Sequence, residues 1–340
     1  MHPELFEIPF LHVSVKSWGL MVVTGFLVAM FVMRRIMKRI GQDPEHISNA
    51  ALYSLIAGVA GARLFLVIHH FSQFKDNLLR VFAIWEGAGE FLGGVLTALV
   101  VLGLYFYFKK LPIRIYLDVL AIGLMIGLGF GRIGCFLSGC CFGQCTDVPW
   151  AVVFPYNSTV YKNQVRPDPE RDRMEPYFDL PEDYYMYPKT PGVAGETKYV
   201  FPLKPYSLLT PRQQKEVTHG QYQARPVHPT QLYSSLNAFV LASILYGFWR
   251  WRGMKWPGAA GGLMLILYGI TRFILESLRD DNPFEHAWWT LYKGGTISQN
   301  MGIYLILLGL GLVALFIIKA QRDHNSGKPP KIILQPIAKK

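Results

Sequence analysis

Three arginines stand inside stretches of sequence that otherwise carry almost no charge. Arg63, Arg132 and Arg272 are each surrounded mainly by apolar residues and glycine. A charged side chain in a stretch that crosses a bilayer costs at least about 2.5 kcal/mol, so it must face a partner or a cavity. The planar guanidinium group matches phosphate oxygens bidentately. The residue type therefore predicts an anion site, with phosphate as its natural ligand.

The last of these arginines has polar neighbours at a regular spacing. Tyr268, Arg272 and Glu276 follow one another at intervals of four residues, which places them on one face of a helix. Arg279 lies three residues beyond Glu276, within reach of an ion pair. A purely structural alternative is that Arg272 pairs with Glu276 while Arg132 extends to the membrane interface. Against it, three arginines and one acid leave an excess of positive charge, for which an anion is the missing partner.

The apolar stretches that hold these residues are long enough to cross a bilayer, which takes about 20 residues. Of the 340 residues 51% are hydrophobic and 17% are charged, whereas soluble domains carry about 25% charged residues. We therefore predict an all-α integral membrane protein of about seven transmembrane helices. The predicted spans are Trp18–Met33, Ala50–His69, Phe91–Phe108, Tyr116–Cys135, Thr230–Trp249, Gly258–Leu275 and Asn300–Ile318.

The basic residues predict the orientation of these spans. The net charge is +11, and its short clusters follow the first, third, fifth and seventh spans. Positive residues stay on the cytoplasmic side, so the N-terminus is predicted outside and the C-terminus in the cytoplasm. This pattern accounts for the basic balance, and no nucleic-acid partner is predicted. The clusters are Arg34, Arg35, Lys38 and Arg39; Lys109, Lys110 and Arg114; Arg250, Arg252 and Lys255; and Lys319, Arg322, Lys328, Lys331, Lys339 and Lys340.

One long insertion divides the spans into two groups. We predict a membrane domain at 1–142 with spans one to four, and an external, periplasmic insertion at 143–227. Spans five to seven follow at 228–318, and a basic cytoplasmic tail at 319–340. The insertion is rich in proline, tyrosine and charge, and frequent prolines argue against long helices there. A small folded head and a loose loop both remain open for it.

The three arginines fall at one predicted depth. Each lies about 15–16 residues from the inner end of its span, which is roughly 22–24 Å at 1.5 Å per residue. Glu90 and the polar starts of spans five and seven, His228–Gln231 and Thr296–Asn300, enter at the same level. We therefore expect a polar layer near the outer face, where the abundant anion is a phospholipid headgroup.

All four cysteines, Cys135, Cys140, Cys141 and Cys145, fall within one short window. The spacing contains no C-x-x-C pair, so neither a zinc ribbon nor a thioredoxin-like pair is indicated, and no metal or other cofactor is predicted. On the predicted topology the window faces an oxidising compartment, in which disulfides persist. Three explanations stay open: at least one disulfide, small apolar packing at a span end, or a catalytic cysteine.

Taken in order, the motifs resemble those of the prolipoprotein diacylglyceryl transferase family. Each motif is weak alone, but the ordered set through all seven spans is specific. The stretch Gly131–Gly143 resembles the family signature, His228–Tyr233 its H-P-[ST]-Q-L-Y element, Tyr268–Glu276 its Y-G-x-x-R-F-x-x-E element and Gly295–Gln299 its last polar turn, while Trp18–Met21 and Gly61–Arg63 match the early elements.

The resemblance implies a transferase in the bacterial inner membrane, a multi-pass protein without cofactors. Its reaction would move a diacylglyceryl group from phosphatidylglycerol to the lipobox cysteine thiol of a prolipoprotein. Glycerol phosphate would leave and a thioether would remain. Phosphatidylglycerol, other membrane lipid and lipobox-containing prolipoproteins are thus the implied partners.

The resemblance also implies roles for individual residues. Arg132 and Arg272 would hold the lipid phosphate, with Tyr268 and Glu276 supporting them. The predicted catalytic residues are Arg272, Tyr268, Glu276 and His228. The predicted phosphatidylglycerol-binding residues are Arg132, Arg272, Arg63, Gly143 and Gln231.

Some positions depart from the family pattern. Leu92 stands where many members have a histidine that is a suggested general base. Cys135 and Cys140 stand where many members have asparagine and glutamate. The identity of the general base is therefore open. For His228, the structural alternative is a capping contact at the start of span five. The candidates are Glu90, Glu276, His228, water and the lipid phosphate itself.

Two other functions compete with the transferase. A membrane carrier for an anionic solute or lipid would use the same arginines, but carriers show broken helices and inverted repeats, and neither is clear here. An intramembrane hydrolase would need a Ser/His or metal constellation, and the chain has no H-E-x-x-H motif.

Overall fold

The computed structural model describes residues 4–8, 13–75, 81, 90–186, 202–253 and 255–325. Within these residues the chain is mainly helical, with one short antiparallel hairpin near the N-terminus. The strands are β1 (Glu4–Ile8) and β2 (Val13–Lys16). The helices are α1 (Ser17–Arg39), α2 (Pro44–His69), α3 (Phe91–Phe108), α4 (Ile113–Ser138), α5 (Thr159–Gln164), α6 (Pro211–His219), α7 (Thr230–Phe248), α8 (Ala259–Glu276) and α9 (Ile297–Asn325).

Six of the described helices, α1, α2, α4, α7, α8 and α9, are long and apolar enough to cross a membrane. Helix α7 reaches this length with the π-helical turn Trp249–Gly253 that continues it. Helix α3 is also apolar but shorter. These helices confirm the predicted all-α integral membrane protein, whereas a seventh span, formed by α3, stays a prediction. The side of the membrane that each end faces stays a prediction.

The helices coincide with the predicted spans, but several run further at their ends. Helix α1 continues to Arg39, and its last turn holds Lys38 and Arg39, whose positive charges favour a helix C-terminus. Helix α2 begins before its apolar stretch because Asp43 caps it and Pro44 occupies the first turn. Hydropathy thus locates the part of a helix that lies in lipid, whereas polar residues extend its ends.

The chain divides into two compact units. The first consists of Met1–Phe26, Met125–Ser243 and Met264–Leu310, and the second of Leu27–Leu124, Ile244–Leu263 and Gly311–Lys340. Of the predicted site residues, Arg63 belongs to the second unit and all the others to the first.

In the first unit, helices α8 and α9 approach each other at a pair of glycines. A Cβ atom on Gly269 would lie 2.6 Å from the carbonyl oxygen of Gly302. A Cβ atom on Gly302 would lie 2.9 Å from the carbonyl oxygen of Gly269. Small residues let transmembrane backbones pack this closely. The contact brings the polar start of α9 to the polar end of α8.

The described part of the insertion is a folded head with its own hydrophobic core. Tyr161 and Tyr184 are fully buried in this core, together with Leu180 and Val217. The hydroxyl of Tyr184 donates to Glu216 at 2.6 Å, which satisfies it inside the core. Of the two possibilities that the sequence left open, the structure shows the folded head. The domain boundaries at 143 and 227 stay a prediction.

In the second unit, Asp118 ties α4 to the start of α8. Its carboxylate is buried and accepts hydrogen bonds from the backbone N–H groups of Gly258 at 2.8 Å and Gly261 at 3.0 Å. These groups lie at the N-terminal end of the helix, where a negative charge is favourable. These two hydrogen bonds fix the start of α8 against α4.

Candidate functional site

The polar face of α8 forms the centre of the first unit's site. Arg272 Nη2 lies 2.9 Å from Glu276 Oε2, as the spacing of four residues predicts. The same nitrogen donates a hydrogen bond of 2.7 Å to Ser298 Oγ at the start of α9. The Arg272 side chain is 14% exposed and the Glu276 side chain is fully buried. Two neighbours thus fix the direction of the Arg272 guanidinium.

Glu276 has donors on several sides. Thr296 Oγ1 donates to Glu276 Oε1 at 3.2 Å, and the Asn282 side-chain amide donates to the same oxygen. Arg279 Nη1 lies 3.7 Å from Glu276 Oε2, so the predicted pairing of these two residues is confirmed. A buried carboxylate surrounded in this way orients the arginines beside it. This arrangement suits a positioning role better than that of a general base.

Arg279 has a closer acid than Glu276. Its Nε and Nη2 atoms donate to the two carboxylate oxygens of Asp281, each at 2.9 Å. Burial alone would lower the pKa of Arg279, but Asp281, Cys141 and Glu276 raise it above its ordinary value. Burial raises the pKa of Asp281, although Arg279 opposes the shift. The opposite charges of Arg279 and Asp281 therefore balance each other within the protein.

Helices α4, α7 and α8 enclose a small cleft within the first unit. It brings together Arg132 of α4 and Tyr268 and Arg272 of α8, which the sequence predicted to act at one site. Ser234 and Asn237 of α7 complete its polar lining. Leu128 and Leu275 supply apolar walls. The cleft thus presents two guanidinium groups, two hydroxyls and an amide beside apolar surface, which is a suitable environment for an anionic headgroup with acyl chains.

Arg132 differs from Arg272 in having no acid beside it. Among the residues that the structure describes, none forms a hydrogen bond or an ion pair with its half-buried guanidinium. The two arginines that line the cleft repel each other, and Glu276 compensates one of them. A phosphate in the cleft would supply the second negative charge. The first half of the structural alternative is thus observed, since Arg272 pairs with Glu276, whereas the extension of Arg132 to the membrane interface stays untested.

His228 lies on the turn before α7, outside the lining of this cleft. Its Nδ1 atom is 3.3 Å from the hydroxyl of Tyr233, which also accepts a 2.6 Å hydrogen bond from Trp150 Nε1. The carbonyl of His228 accepts from the backbone N–H of Thr230 at 2.8 Å, a contact at the start of the helix. Its role as catalytic base stays a prediction.

Gly143 and Gln231 hold the chain that carries the site. A Cβ atom on Gly143 would lie 2.6 Å from the Cβ of His228 and 2.8 Å from the carbonyl oxygen of Leu278, so only glycine fits there. Gln231 is fully buried, and its Nε2 atom donates to the carbonyl of Cys140 at 2.7 Å. Both contacts join the signature loop to α7. Binding of phosphatidylglycerol by either residue stays a prediction.

Arg63 belongs to the second unit, where it is buried against its own neighbours. Its Nε atom donates to the carbonyl of Val81 at 3.1 Å, and its guanidinium carbon lies 5.3 Å from the centre of the Phe74 ring. In the same unit, His69 Nδ1 lies 2.7 Å from the carboxylate of Glu90. The common depth of Arg63 with the other two arginines, and its contact with lipid phosphate, stay predictions.

The four cysteines are free thiols, which contradicts the disulfide that the sequence left open. The sulfurs of Cys135, Cys140 and Cys141 lie within 4.8 Å of one another, so three thiols share one point instead of forming a pair. Cys145 stands apart and accepts a hydrogen bond of 3.6 Å from Gln164 Nε2. The neighbouring thiols, with help from arginine charges, lower the pKa of Cys141.

Sequence patterns did not single out several residues that complete the site. Asn282 lies in the loop after α8, and no periodicity connects it to Glu276. Ser234 and Asn237 lie three residues apart on α7. Their polarity within an apolar span is the sequence signal that could have identified them as site residues. Thr296 and Ser298 belong to the predicted polar start of span seven. The sequence does not predict that they contact Glu276 and Arg272 of α8.

Comparison with known proteins identifies the family. The family model described as prolipoprotein diacylglyceryl transferase matches residues 3–315. This chain belongs to the prolipoprotein diacylglyceryl transferase family. The assignment confirms the resemblance that the ordered motifs indicated. With the six apolar helices, it also establishes a multi-pass membrane protein.

Individual relatives of the family match over most of their length, and three of them carry the name phosphatidylglycerol–prolipoprotein diacylglyceryl transferase. The protein from Buchnera aphidicola is 31% identical, covering 91% of this chain and 94% of the relative. The one from Clostridium tetani is 28% identical, covering 91% and 96%. The one from Shewanella oneidensis is 26% identical, covering 88% and 87%.

Proposed function

We propose that this chain transfers the diacylglyceryl group of phosphatidylglycerol to the lipobox cysteine thiol of prolipoproteins. A thioether forms and glycerol phosphate is released. One observation carries the assignment of the site: Arg132 and Arg272 line one cleft, and the buried carboxylate of Glu276 pairs with Arg272 and not with Arg132. The family membership supports the reaction, because the three relatives named above bear it in their names.

The arginines act on the phosphate that leaves. Sulfur attacks a glycerol carbon, the carbon–oxygen bond breaks, and negative charge grows on the phosphate. Arg272 is already oriented by Glu276 and Ser298, so it needs little reorganisation to donate to that charge. Arg132 is held on the facing helix and contributes the second guanidinium. In a site that excludes water, such donors stabilise a transition state far more than they would in solvent.

Tyr268 is placed to assist them. It lines the cleft one helical turn before Arg272, and its hydroxyl has no hydrogen-bond partner among the residues that the structure describes. A hydroxyl in this position donates to a phosphate or glycerol oxygen of the bound lipid. Ser234 and Asn237 offer further hydrogen bonds to the headgroup from the opposite wall.

The substrate thiol must also lose its proton, because a free cysteine has a pKa of about 8.5. Glu276 is a poor base here, since it is occupied by Arg272, Asn282 and Thr296. Leu92 has no proton-accepting group. The base therefore stays open among Glu90, His228, water and the lipid phosphate.

We further propose that the protein lies in the bacterial inner membrane, with the cleft toward the outer leaflet and no nucleic-acid partner. The supporting observation is the alternation of basic clusters along the spans. Single cysteines introduced at Asn163 and at His324, in a chain without native cysteines, test it. A membrane-impermeant reagent should label position 163 and leave 324 protected in intact spheroplasts. The reverse pattern would overturn the orientation.

The reaction is tested with purified protein, labelled phosphatidylglycerol and a lipobox peptide. Thioether product is expected from the cysteine peptide and not from its Cys→Ser counterpart. Arg212→Ala is a matched control, because Arg212 is an 89% exposed arginine of the insertion, where an ion pair contributes little. Flux of an anionic solute through proteoliposomes, with no thioether product, would establish the carrier instead.

A further inference from the structure

Three thiols converge where α4 ends. Cys135 lies in the last turn of the helix, and Cys140 and Cys141 follow it in the signature loop. Gly139 and Cys141 both have positive φ, of 73° and 59°, which turns the chain back toward the helix. The three sulfur atoms consequently lie within 4.8 Å of one another.

Hydrogen bonds fix the backbone around this thiol cluster. The N–H of Cys140 donates to the carbonyl of Cys135 at 3.1 Å. From the start of α7, Gln231 Nε2 donates to the Cys140 carbonyl at 2.7 Å, and Thr230 Oγ1 donates to the Cys141 carbonyl at 2.8 Å. Simple apolar packing of the thiols would not require such an arrangement. The cluster has the features of a preformed ligand set.

Three sulfurs at these distances match the coordination of one thiophilic metal ion. Zn²⁺ binds thiolates at about 2.3 Å, so three of them around one ion lie about 3.8 Å apart. The observed sulfurs are close enough to reach this geometry by small side-chain rotations. A disulfide would use two of the three and leave the last without a function.

The charges around the cluster favour a metal–thiolate complex. Zn²⁺ with three thiolates has a net negative charge. Arg132 precedes Cys135 by three residues on α4, and Arg279 forms a backbone bridge with Gly143, two residues after Cys141. These guanidinium groups stabilise an anionic complex. We propose that Cys135, Cys140 and Cys141 bind one Zn²⁺ ion and leave its fourth position open.

The open position has a natural ligand, provided that the proposed function holds. Sites with three protein ligands keep a position for water or substrate, and the substrate of the proposed reaction is a thiol. Binding to Zn²⁺ releases the thiol proton to solvent. The thiolate then attacks the glycerol carbon, the carbon–sulfur bond forms, and the phosphate leaves with the electron pair of the carbon–oxygen bond. The metal ion thereby takes the place of a general base, which Leu92 cannot provide.

The position of the cluster suits this role. Cys135 and Arg132 are neighbours on one face of α4, with Cβ atoms about 5–6 Å apart. A thiolate bound at the cluster is therefore close to a guanidinium that we assign to the leaving phosphate. The sequence predicted no metal, because its cysteine spacing contains no C-x-x-C pair. The convergence of the three sulfurs is a tertiary feature.

Metal content tests the site independently of activity. The full chain, purified in detergent without chelator, should contain about one equivalent of zinc per chain by mass spectrometry. Cys135→Ser and Cys141→Ser should lose it, whereas Cys145→Ser should keep it, and gel filtration checks that each variant is folded. Alkylation without reductant should modify all four cysteines once zinc is removed by a chelator.

Cobalt titration supplies a second readout on the unmodified chain. Co²⁺ should replace Zn²⁺ and give thiolate charge-transfer absorption. A wild-type protein with less than about a tenth of an equivalent of zinc and no cobalt absorption would overturn the site. Stoichiometric Cu⁺ with no affinity for Zn²⁺ would overturn the choice of ion, and a disulfide among the three cysteines would exclude any ion.

The substrate's role is tested with the cobalt-loaded protein. A lipobox peptide with cysteine should shift the charge-transfer bands, and the same peptide with serine should not. Unchanged bands, with thioether product still formed, would overturn thiol activation by the metal. Absence of thioether product under all conditions, with the bands shifted, would count against the proposed reaction and leave the metal site standing.

Discussion

The end of α8 and the cleft beside it use the same residue types in opposite ways. At the helix end, Arg279 is held by both oxygens of Asp281 and lies near Glu276, so positive and negative groups balance. In the cleft, Arg272 pairs with Glu276, whereas the guanidinium of Arg132 and the hydroxyl of Tyr268 have no hydrogen-bond or ion-pair partner among the described residues. A balanced buried network holds the fold together. Surplus donors on a cavity wall indicate a ligand that completes them.

This difference separates stability from activity. Residues of the balanced network should affect folding when changed, because each removal leaves a buried charge unpaired. Residues of the cleft should affect turnover with little change in stability, because their partner is the substrate. Four substitutions test the comparison.

The largest effect is expected for Glu276→Ala. It removes the carboxylate from Arg272, Arg279, Asn282 and Thr296 at once. Breaking a buried pair in this way costs about 3–5 kcal/mol, so the thermal midpoint of the detergent-solubilised protein should fall clearly. A midpoint within a degree or so of wild type would show that this network is not structural. Arg212→Ala, which removes an 89% exposed arginine from a surface pair, is the control.

Arg132→Ala is expected to lower turnover next most strongly. Removing one preorganised donor from a developing anion costs roughly 10²–10³-fold in rate. The thermal midpoint should stay near that of wild type, because Arg132 has no hydrogen bond or ion pair to any described residue. Wild-type turnover would remove Arg132 from the anion site. A large loss of stability would instead give it a structural role.

Arg272→Lys should have an intermediate effect. Lysine keeps the charge but loses the planar fork, so it cannot serve Glu276, Ser298 and a phosphate together. Loss of one charge-assisted hydrogen bond costs about 1.5–3 kcal/mol, which is roughly a 10–100-fold loss in kcat/KM. Turnover equal to wild type would show that charge alone suffices.

The smallest effect is expected for Tyr268→Phe. The change removes one hydroxyl from the cleft and leaves the ring in place. A net loss of about 0.5–1.5 kcal/mol in transition-state stabilisation corresponds to a few-fold lower rate. Stability should be unchanged, since the hydroxyl has no protein partner in the described residues. A reduced thermal midpoint would show that Tyr268 contributes to stability. It would contradict the distinction between the balanced network and the cleft.

The sequence predicted the helices well, because a membrane span is a local property. Backbone groups in lipid must be satisfied within the span itself, so an apolar stretch of sufficient length becomes a helix whatever its neighbours are. The predicted Phe91–Phe108 agrees with α3 at both ends. The pairing of Arg272 with Glu276 was predicted for the same reason, since both lie on one helix.

Contacts between distant segments were beyond sequence patterns. Asn282 and Ser298 meet α8 only through the loop after it and the packing of α9. The folded state of the insertion depends on tyrosines such as Tyr161 and Tyr184 burying one another across a long stretch of chain. The amino-acid composition shows which residues could form this core, but it does not show that they pack together.

The sequence by itself thus determined the positions of the apolar helices, the family motifs and the excess of arginine over acid. These follow from hydropathy and spacing along one helix, which are short-range properties. The tertiary structure decided which arginine keeps an unmet charge, because that depends on which helices pack together around the cleft. It also decided that three cysteines meet at one point, since a turn of positive φ and the anchoring of Gln231 bring them there.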